Sequence, residues 1–382
     1  MRIAVNTRFL LPRGLEGLGR YTHHLMQELV RQRPDDEFVF FFDRAYDERY
    51  VYGPNVTPVV LRPPARHPLL WWWWFERALP AALRRHRIDV LFSPDNFCSL
   101  RSEVPTVMTF HDLGYLHFPQ QVKRSARWYY QRYFPRYAVR AERLIAISEA
   151  VKQDLLRHYP IEDQKMVVAH HAAAGRFAPV DEPTKRRMRE RYTQGHPYFL
   201  FVGAIQPRKN VANLIRAFTA FKRNTGRSER LVLAGRMAWH TADVRAELAR
   251  SPFRSHIVLP GFVDEQTLPR LVGSALVFVL PSYLEGFGLP VLEAQEAGVP
   301  VLTTNVSALP EVAGRGALYF PPDDVVLLAT LLERLCTDSR TRTQLIERGH
   351  RNGQRFSWAA SARIVGAEID AVADQPRLDR MG

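Results

Sequence analysis

Between Ala275 and Leu302 the chain carries a run of residues that leaves little choice of fold. An apolar stretch from Ala275 to Leu280 stops at Pro281. Gly286 and Gly288 follow, then Pro290 and helix-forming residues as far as Ala297. Gly298 is placed to close that helix, and Val299–Leu302 opens a second apolar stretch. The order is strand, glycine loop, helix, strand. A strand that is apolar without alternation is buried on both faces, as in a parallel sheet covered by helices.

The glycine loop leads into a helix N-terminus, where unpaired N–H groups and the positive end of the helix dipole can receive a phosphate. The N–H groups concerned are those of Gly286, Phe287, Gly288 and Leu289. Glu285 stands on the loop and Glu293 inside the helix, with seven residues between them. Carboxylates accept hydrogen bonds from hydroxyls, so two of them flanking an anion site suit a ligand with phosphates between sugars, a sugar nucleotide. Taken singly, Glu285 would be a helix cap and Glu293 a solvated surface residue. The surrounding glycines and prolines favour the ligand.

The same alternation runs through the rest of the chain. Apolar runs at 3–7, 37–42, 56–61, 88–93, 105–110, 143–147 and 166–170 are separated by helical stretches. A second series begins at YFLFVG (198–203) and continues at 231–234, 256–260, 275–280, 299–303 and 316–320. Each series predicts a doubly wound α/β domain, and ligands in such sheets bind beyond the carboxyl ends of the strands. With 382 residues the chain is too long for one ordinary core. The break is placed in GRFAPVDEP, giving domains 1–180 and 181–382. The terminal stretch, about residues 357–372, reads as a helix.

Several residues fall at expected strand ends. Gly14, Gly17 and Gly19 follow the first strand and precede a helix, so this loop can approach a ligand closely. His111, followed by Asp112, comes directly after PTVMTF. Arg208 and Lys209 lie at the turn after YFLFVG, where a planar guanidinium fork and a point charge can pair with a diphosphate. Ser148 and Glu149 follow RLIAI, and helix capping by Ser148 accounts for them.

ProSerTyrLeuGluGlyPheGlyLeuProValLeuGlu, residues 281–293, resembles the glutamate–seven residues–glutamate signature of the retaining glycosyltransferases of family 4. Weaker matches run along most of the chain. The resemblance implies a GT-B fold, with two doubly wound Rossmann-like domains facing a central cleft. It assigns Glu285 to the donor sugar hydroxyls and Glu293 to the ribose. Arg208, Lys209 and the N–H groups of residues 286–289 fall to the donor diphosphate. It also places His111 near the reacting sugar and Phe262 or Val263 of the GFVD loop against the base. The family usually has a glycine pair in the first loop, near the donor phosphate or the acceptor. Here the pair reads Glu16-Gly17, so Gly17 alone remains for it. Asn305–Gly314 also follows the family pattern, although an ordinary loop explains it. The family folds its terminal helix back onto the first domain, and the resemblance implies the same of residues 357–372.

The overall pattern, with GRYT, HDL and PRKN, is similar to the mannosyl- and rhamnosyltransferases of bacterial surface polysaccharide assembly. A nucleotide-diphosphate sugar, GDP-mannose first, is the expected donor, and a glycan or lipid-linked molecule the expected acceptor. No cofactor is expected. No Asp-x-Asp pair stands where a metal would bridge the phosphates, so the basic pair is expected to replace it. A sugar-nucleotide 2-epimerase, a phosphorylase of related fold and a non-catalytic sugar-nucleotide sensor share the architecture and stay open.

The formal charge of +14 points to an anionic partner. The excess is spread along the chain without a basic tail or a nucleic-acid-binding signature, so nucleic acid is not expected. Two segments suit an anionic membrane surface. Leu69–Phe75 reads LLWWWWF, seven apolar residues that a helix must distribute around all its faces. Lys123–Arg143 mixes arginines with aromatic residues, and Arg132, Arg136 and Arg140 would form one basic face. Ordinary packing is the alternative for both. Met1 leads directly into a strand, no apolar run approaches the roughly 18 residues of a membrane span, and Cys98 and Cys336 lie far apart. The expected location is the cytoplasm, with peripheral contact to the inner face of the cell membrane.

Overall fold

In the computed structural model, which describes residues 1–12, 14–15 and 17–374, every apolar run read above as a strand forms one. The chain divides into two units. The first comprises Met1–His171 together with the segment from Ser357 onward, and the second is Ala172–Phe356.

The first unit holds β1 (Arg2–Asn6), β2 (Glu37–Phe42), β3 (Val56–Val60), β4 (Val90–Ser93), β5 (Thr106–Phe110), β6 (Arg143–Ala146) and β7 (Met166–Val168). They form one parallel sheet in the order β3-β2-β1-β4-β5-β6-β7. Five of the six residues of β2, EFVFFF, are buried, as befits a strand covered on both faces. The strand order reverses between β1 and β4, which pair with Ile3 opposite Val90. Ligands bind beyond the strand ends at such a switch point.

The second unit holds β8 (Tyr198–Val202), β9 (Arg230–Ala234), β10 (Ile257–Gly261), β11 (Val277–Leu280), β12 (Val301–Thr304) and β13 (Ala317–Phe320). Their order, β10-β9-β8-β11-β12-β13, is again parallel throughout and reverses between β8 and β11. Gly203 and Gly235 end β8 and β9 in loops that touch. A Cβ on Gly235, whose φ is +150°, would lie 1.9 Å from the Gly203 carbonyl oxygen. Only glycine fits there.

The division falls at His171/Ala172, earlier than the expected 180/181, and the crossing expected of the terminal helix is present. The helix Trp358–Ala373 belongs to the first unit and packs on the helix Gly17–Gln32. Its buried stripe of Ala362, Val365, Ile369 and Val372 needs an apolar cover, and Leu25 and Leu29 are buried on the partner helix. Arg33 fixes the contact with a two-pronged bond to Asp370, at 2.9 and 2.5 Å. Gln32 Nε2 also donates to the Ala359 carbonyl at 3.1 Å.

The two aromatic segments of the first unit pack on each other. The tryptophan run forms the helix Pro68–Trp73, one wide π turn over Trp74–Ala78, and the helix Leu79–Arg85. Trp74 and Phe75 are wholly buried, whereas Leu69 is 76% and Trp73 41% exposed. Trp71 lies flat against Tyr130 of the helix Arg124–Arg140, with ring centroids 5.6 Å apart. The expected basic face of that helix is shorter than its spacing implies. Arg132 and Arg136 are exposed. Arg140 is tucked in, bonded to Glu142 at 2.8 Å and to the Ser102 carbonyl. A carboxylate two residues beyond the helix competes for Arg140 and wins it from solvent.

Candidate active site

The loops that follow β8 and β11 meet at the switch point of the second unit. After β8 the chain makes a tight turn at Pro207–Lys209, and Asn210, at φ 55°, turns it into the helix Val211–Thr225. After β11 it runs through Ser282–Phe287 to Gly288, which caps the helix Leu289–Glu296. The Tyr283 amide donates to the Arg208 carbonyl at 2.8 Å and fastens one loop to the other. Gly288 has a φ of +98°, and a Cβ there would lie 2.7 Å from Leu309 Cδ2. The backbone conformation favours glycine at this cap.

The two cations and the first glutamate of the motif are brought together. Lys209 Nζ lies 2.5 Å from Glu285 Oε1, and Arg208 Nη1 lies 3.3 Å from Glu285 Oε2. Arg208 Nη1 also donates to the Leu284 carbonyl at 2.6 Å. Ser282 Oγ donates to Glu285 Oε1 at 2.6 Å, and the Glu285 amide donates to Ser307 Oγ at 3.0 Å. Glu285 and Lys209 are both buried, at 7% and 8% exposure. Burial alone would raise the Glu285 carboxyl. The charges of Lys209 and Arg208, with hydrogen bonds from Lys209 and Ser282, outweigh burial and hold it down to about 2. Glu285 is therefore ionised at neutral pH and only accepts hydrogen bonds.

Neither modest alternative for the glutamates describes them. Gly288 caps the helix, without a side-chain bond, and Glu285 does not. Glu293 is 4% exposed and so is no solvated surface residue. Gly286 and Phe287 are buried beside Glu285, and Leu289 begins the helix. Of the two residues expected at a base, Phe262 is 80% exposed on the loop after β10, while Val263 packs against the core.

Gly17 and His111 belong to the first unit. Gly17 starts its helix in open space, with no atom within 4 Å of a Cβ placed there. The sterically required glycine of that loop is Gly19, whose Cβ would meet the Phe9 carbonyl oxygen at 2.5 Å. Glu16 lies outside the described residues. His111 follows β5, with its amide on Asn96 Oδ1 at 3.0 Å and Nε2 2.9 Å from the Pro94 carbonyl. A carbonyl only accepts, so Nε2 carries the proton and Nδ1 of the neutral ring is the acceptor. Burial lowers the His111 pKa, against a rise from the Pro94 bond. The neutral ring is thereby favoured. Its edge meets Tyr21 at 4.7 Å, and Tyr21 stacks on His171 at the same distance.

Sequence reasoning missed the polar cluster at the first switch point. Arg8 Nε lies 3.0 Å from Asp95 Oδ2, with side chains 5% and 2% exposed. Asp95 Oδ1 accepts from Asn6 Nδ2, Ser93 Oγ and the Phe97 amide at 3.0 to 3.2 Å. The guanidinium sits 3.8 Å over the Phe97 ring. The available signal was position: Asn6–Arg8 and Ser93–Asn96 end and directly follow the two strands between which the order reverses. Ser148 does cap the helix Glu149–His158, its Oγ accepting from the Val151 amide at 3.1 Å.

Two parallel α/β units with polar residues at the switch points define a doubly wound architecture, and comparison with known proteins gives it a class. Residues 15–173 match the profile described as Glycosyltransferase Family 4, and residues 184–352 that described as Glycosyl transferases group 1. The chain belongs to these glycosyltransferases, and its fold is GT-B. It is 27% identical over 357 residues to O-antigen chain mannosyltransferase B of Escherichia coli, covering 90% of this chain and 93% of that protein. Among solved structures, sucrose-phosphate synthase from Thermosynechococcus elongatus superposes with a TM-score of 0.77 at 19% identity, over 97% of this chain and 98% of the other. HepE of Anabaena, in complex with UDP-glucose, gives 0.74 at 16% identity, over 97% and 100%.

Proposed function

We propose that this glycosyltransferase moves a hexose, mannose first, from a nucleotide-diphosphate sugar such as GDP-mannose to a glycan or lipid-linked acceptor, with retention at the anomeric carbon. The observation that carries the proposal is the buried trio of Glu285, Lys209 and Arg208 beside a glycine-capped helix N-terminus. Within the trio two cations share one carboxylate, an arrangement suited to an arriving diphosphate. The similarity to an O-antigen mannosyltransferase over nearly the whole chain supports mannose. The HepE complex supports a nucleotide sugar as donor.

The donor binds the second unit. Arg208, Lys209 and the N–H groups of residues 286–289 take the diphosphate and stabilise the charge that grows as it leaves. Glu285 accepts from the sugar hydroxyls, Glu293 from the ribose, and Phe262 or Val263 meets the base. Side chains and a helix terminus neutralise the phosphates without a metal. The acceptor falls to the first unit, with His111 near the reacting sugar and Gly17 in the adjoining loop. Front-face attack within an ion pair accounts for retention.

Peripheral contact with an anionic membrane is the finer part of the proposal, favoured by the exposure of Leu69, Trp73 and Trp128 and of Arg132 and Arg136. No described helix is long and apolar enough to cross a membrane. Anionic vesicles should sediment the protein and salt should release it. Equal sedimentation with neutral vesicles ends this part.

The deciding experiment incubates the protein with a panel of nucleotide sugars, with and without membrane lipid extract and in the presence of EDTA. Transfer from GDP-mannose only when acceptor is present is expected. Conversion of donor without acceptor would make the protein an isomerase, and binding without turnover would make it a sensor.

A further inference from the structure

Away from these residues, three metal-ligating side chains of the first unit converge from two segments. His117 ends the helix Gly114–His117, which follows β5, and Asp154 and His158 lie one turn apart on the helix Glu149–His158. His117 Nε2 is 2.8 Å from Asp154 Oδ2 and 3.0 Å from Oδ1. His158 Nδ1 is 3.2 Å from Asp154 Oδ1 and 2.9 Å from the Asp154 carbonyl oxygen. One ligand atom from each residue can be chosen so that all three lie within 4.8 Å of one another. We propose that His117, Asp154 and His158 bind one divalent transition-metal ion of the zinc class, which braces the segment carrying His111 against the helix Glu149–His158.

The spacing fits. With bonds of about 2.0 to 2.2 Å, neighbouring ligands of a tetrahedral Zn²⁺ stand roughly 3.3 Å apart. The His117–Asp154 and His158–Asp154 distances are already close to this. Without the ion, hydrogen bonds from His117 to the Asp154 carboxylate and from His158 to the Asp154 carbonyl oxygen hold the cluster together. Two imidazoles and a carboxylate select Zn²⁺, Co²⁺ or Ni²⁺, whereas Mg²⁺ prefers oxygen ligands and keeps its waters. The three side chains are 34%, 20% and 37% exposed, open enough for an ion to enter from water.

The two segments are also fixed beside the cluster. The Tyr115 and Tyr159 hydroxyls are 2.7 Å apart and buried, two residues before His117 and one after His158. That bond sets the segments in register before any ion arrives, which is what a metal site requires of its support. His111 lies six residues before His117 on the same stretch, and Asp112 Oδ1 accepts from the Gly114 amide between them at 2.9 Å. An ion at His117 would thus hold the loop that follows β5. The inference does not rest on the donor proposal, since its ligands and its readouts are separate.

The test uses the full chain, freed of metal with EDTA and dialysed, and titrated with Zn²⁺ alone by calorimetry. One ion per chain is expected, together with a Tm that climbs as free Zn²⁺ rises, and neither effect with Mg²⁺. His158→Ala and Asp154→Asn should each weaken binding by more than roughly the tenfold that loss of an outer-shell partner costs. Asp154→Asn keeps the shape of the side chain, and circular dichroism verifies that it folds. Co²⁺ gives an independent signal, visible bands that should disappear in both variants. Absence of stoichiometric Zn²⁺ binding overturns the proposal, and so does binding that the folded Asp154→Asn variant leaves unchanged. Nucleoside-diphosphate affinity, measured in the same samples, should not follow Zn²⁺, so a failed donor proposal and a failed metal proposal are told apart.

Discussion

The two switch points are built on one plan and differ in charge. Each places a buried basic side chain from the loop after the first strand of its sheet on a carboxylate from the loop after the fourth. In the first unit Arg8 meets Asp95 one to one, and the rest of the carboxylate is occupied by Asn6, Ser93 and the Phe97 amide. Aromatic rings of Phe9, Phe75 and Phe97 surround the guanidinium. In the second unit two cations share Glu285, next to a glycine cap. The balanced pair holds loops together. Two cations on one carboxylate are what the proposed diphosphate role asks of the other.

Arg8→Met breaks the balanced pair and leaves the Asp95 carboxylate buried without its cation. Removing one partner of a buried pair costs about 3–5 kcal/mol, so urea unfolding should show the largest stability loss here. Affinity for a free nucleoside diphosphate should not change in the folded variant. If it falls as much as in a Lys209 variant, the distinction between the two switch points collapses.

Glu285→Gln probes the unbalanced trio, and turnover should fall by roughly 10²–10³ through loss of contacts that strengthen in the transition state. Affinity for the sugar-free diphosphate should change little. Acid adds a second readout. A carboxyl held below its unfolded value contributes stability that is present above the unfolded pKa and lost as pH falls through the folded one. The stability gap between wild type and Glu285→Gln should therefore close between about 4.5, the ordinary value, and about 2. A gap constant across that window would mean that Glu285 is not held by its cations.

Lys209→Ala removes a charge-assisted contact of about 1.5–3 kcal/mol, so donor and free diphosphate should both bind roughly ten- to a hundredfold more weakly. Calorimetry that finds the affinity intact would take Lys209 out of the site. Phe262→Ala should have the smallest effect. Stacking of an exposed ring contributes about 0.5–1.5 kcal/mol, a few-fold to roughly tenfold in affinity, and only for ligands with a base. An equal loss for inorganic diphosphate would show that the loop, not the ring, was disturbed.

The strands were readable because burial on both faces leaves a parallel strand apolar along its length, as in EFVFFF. The glycine-capped helix could be read from local chemistry for the same reason. The partners of Glu285 could not. Lys209 stands 76 residues from it, and spacing along a chain says nothing about a contact made across a sheet. The resemblance singles out Gly17 as the remaining member of a glycine pair, and it is silent on the steric demand at Gly19, set by a carbonyl ten residues earlier. Arg140 obeyed the four-residue spacing of a basic face and was claimed by Glu142. Period predicts direction from a helix axis, and it is silent on what waits there.

The return of the last helix to the first unit bears on the order in which the protein is made. Asp370 is synthesised 337 residues after Arg33, the residue it grips. At about 5–20 residues per second that interval is roughly 17 to 70 s. Throughout it the stripe of Leu25 and Leu29 lacks its cover, while the second unit emerges whole. The first unit therefore gains its last helix only after the whole second unit has been made.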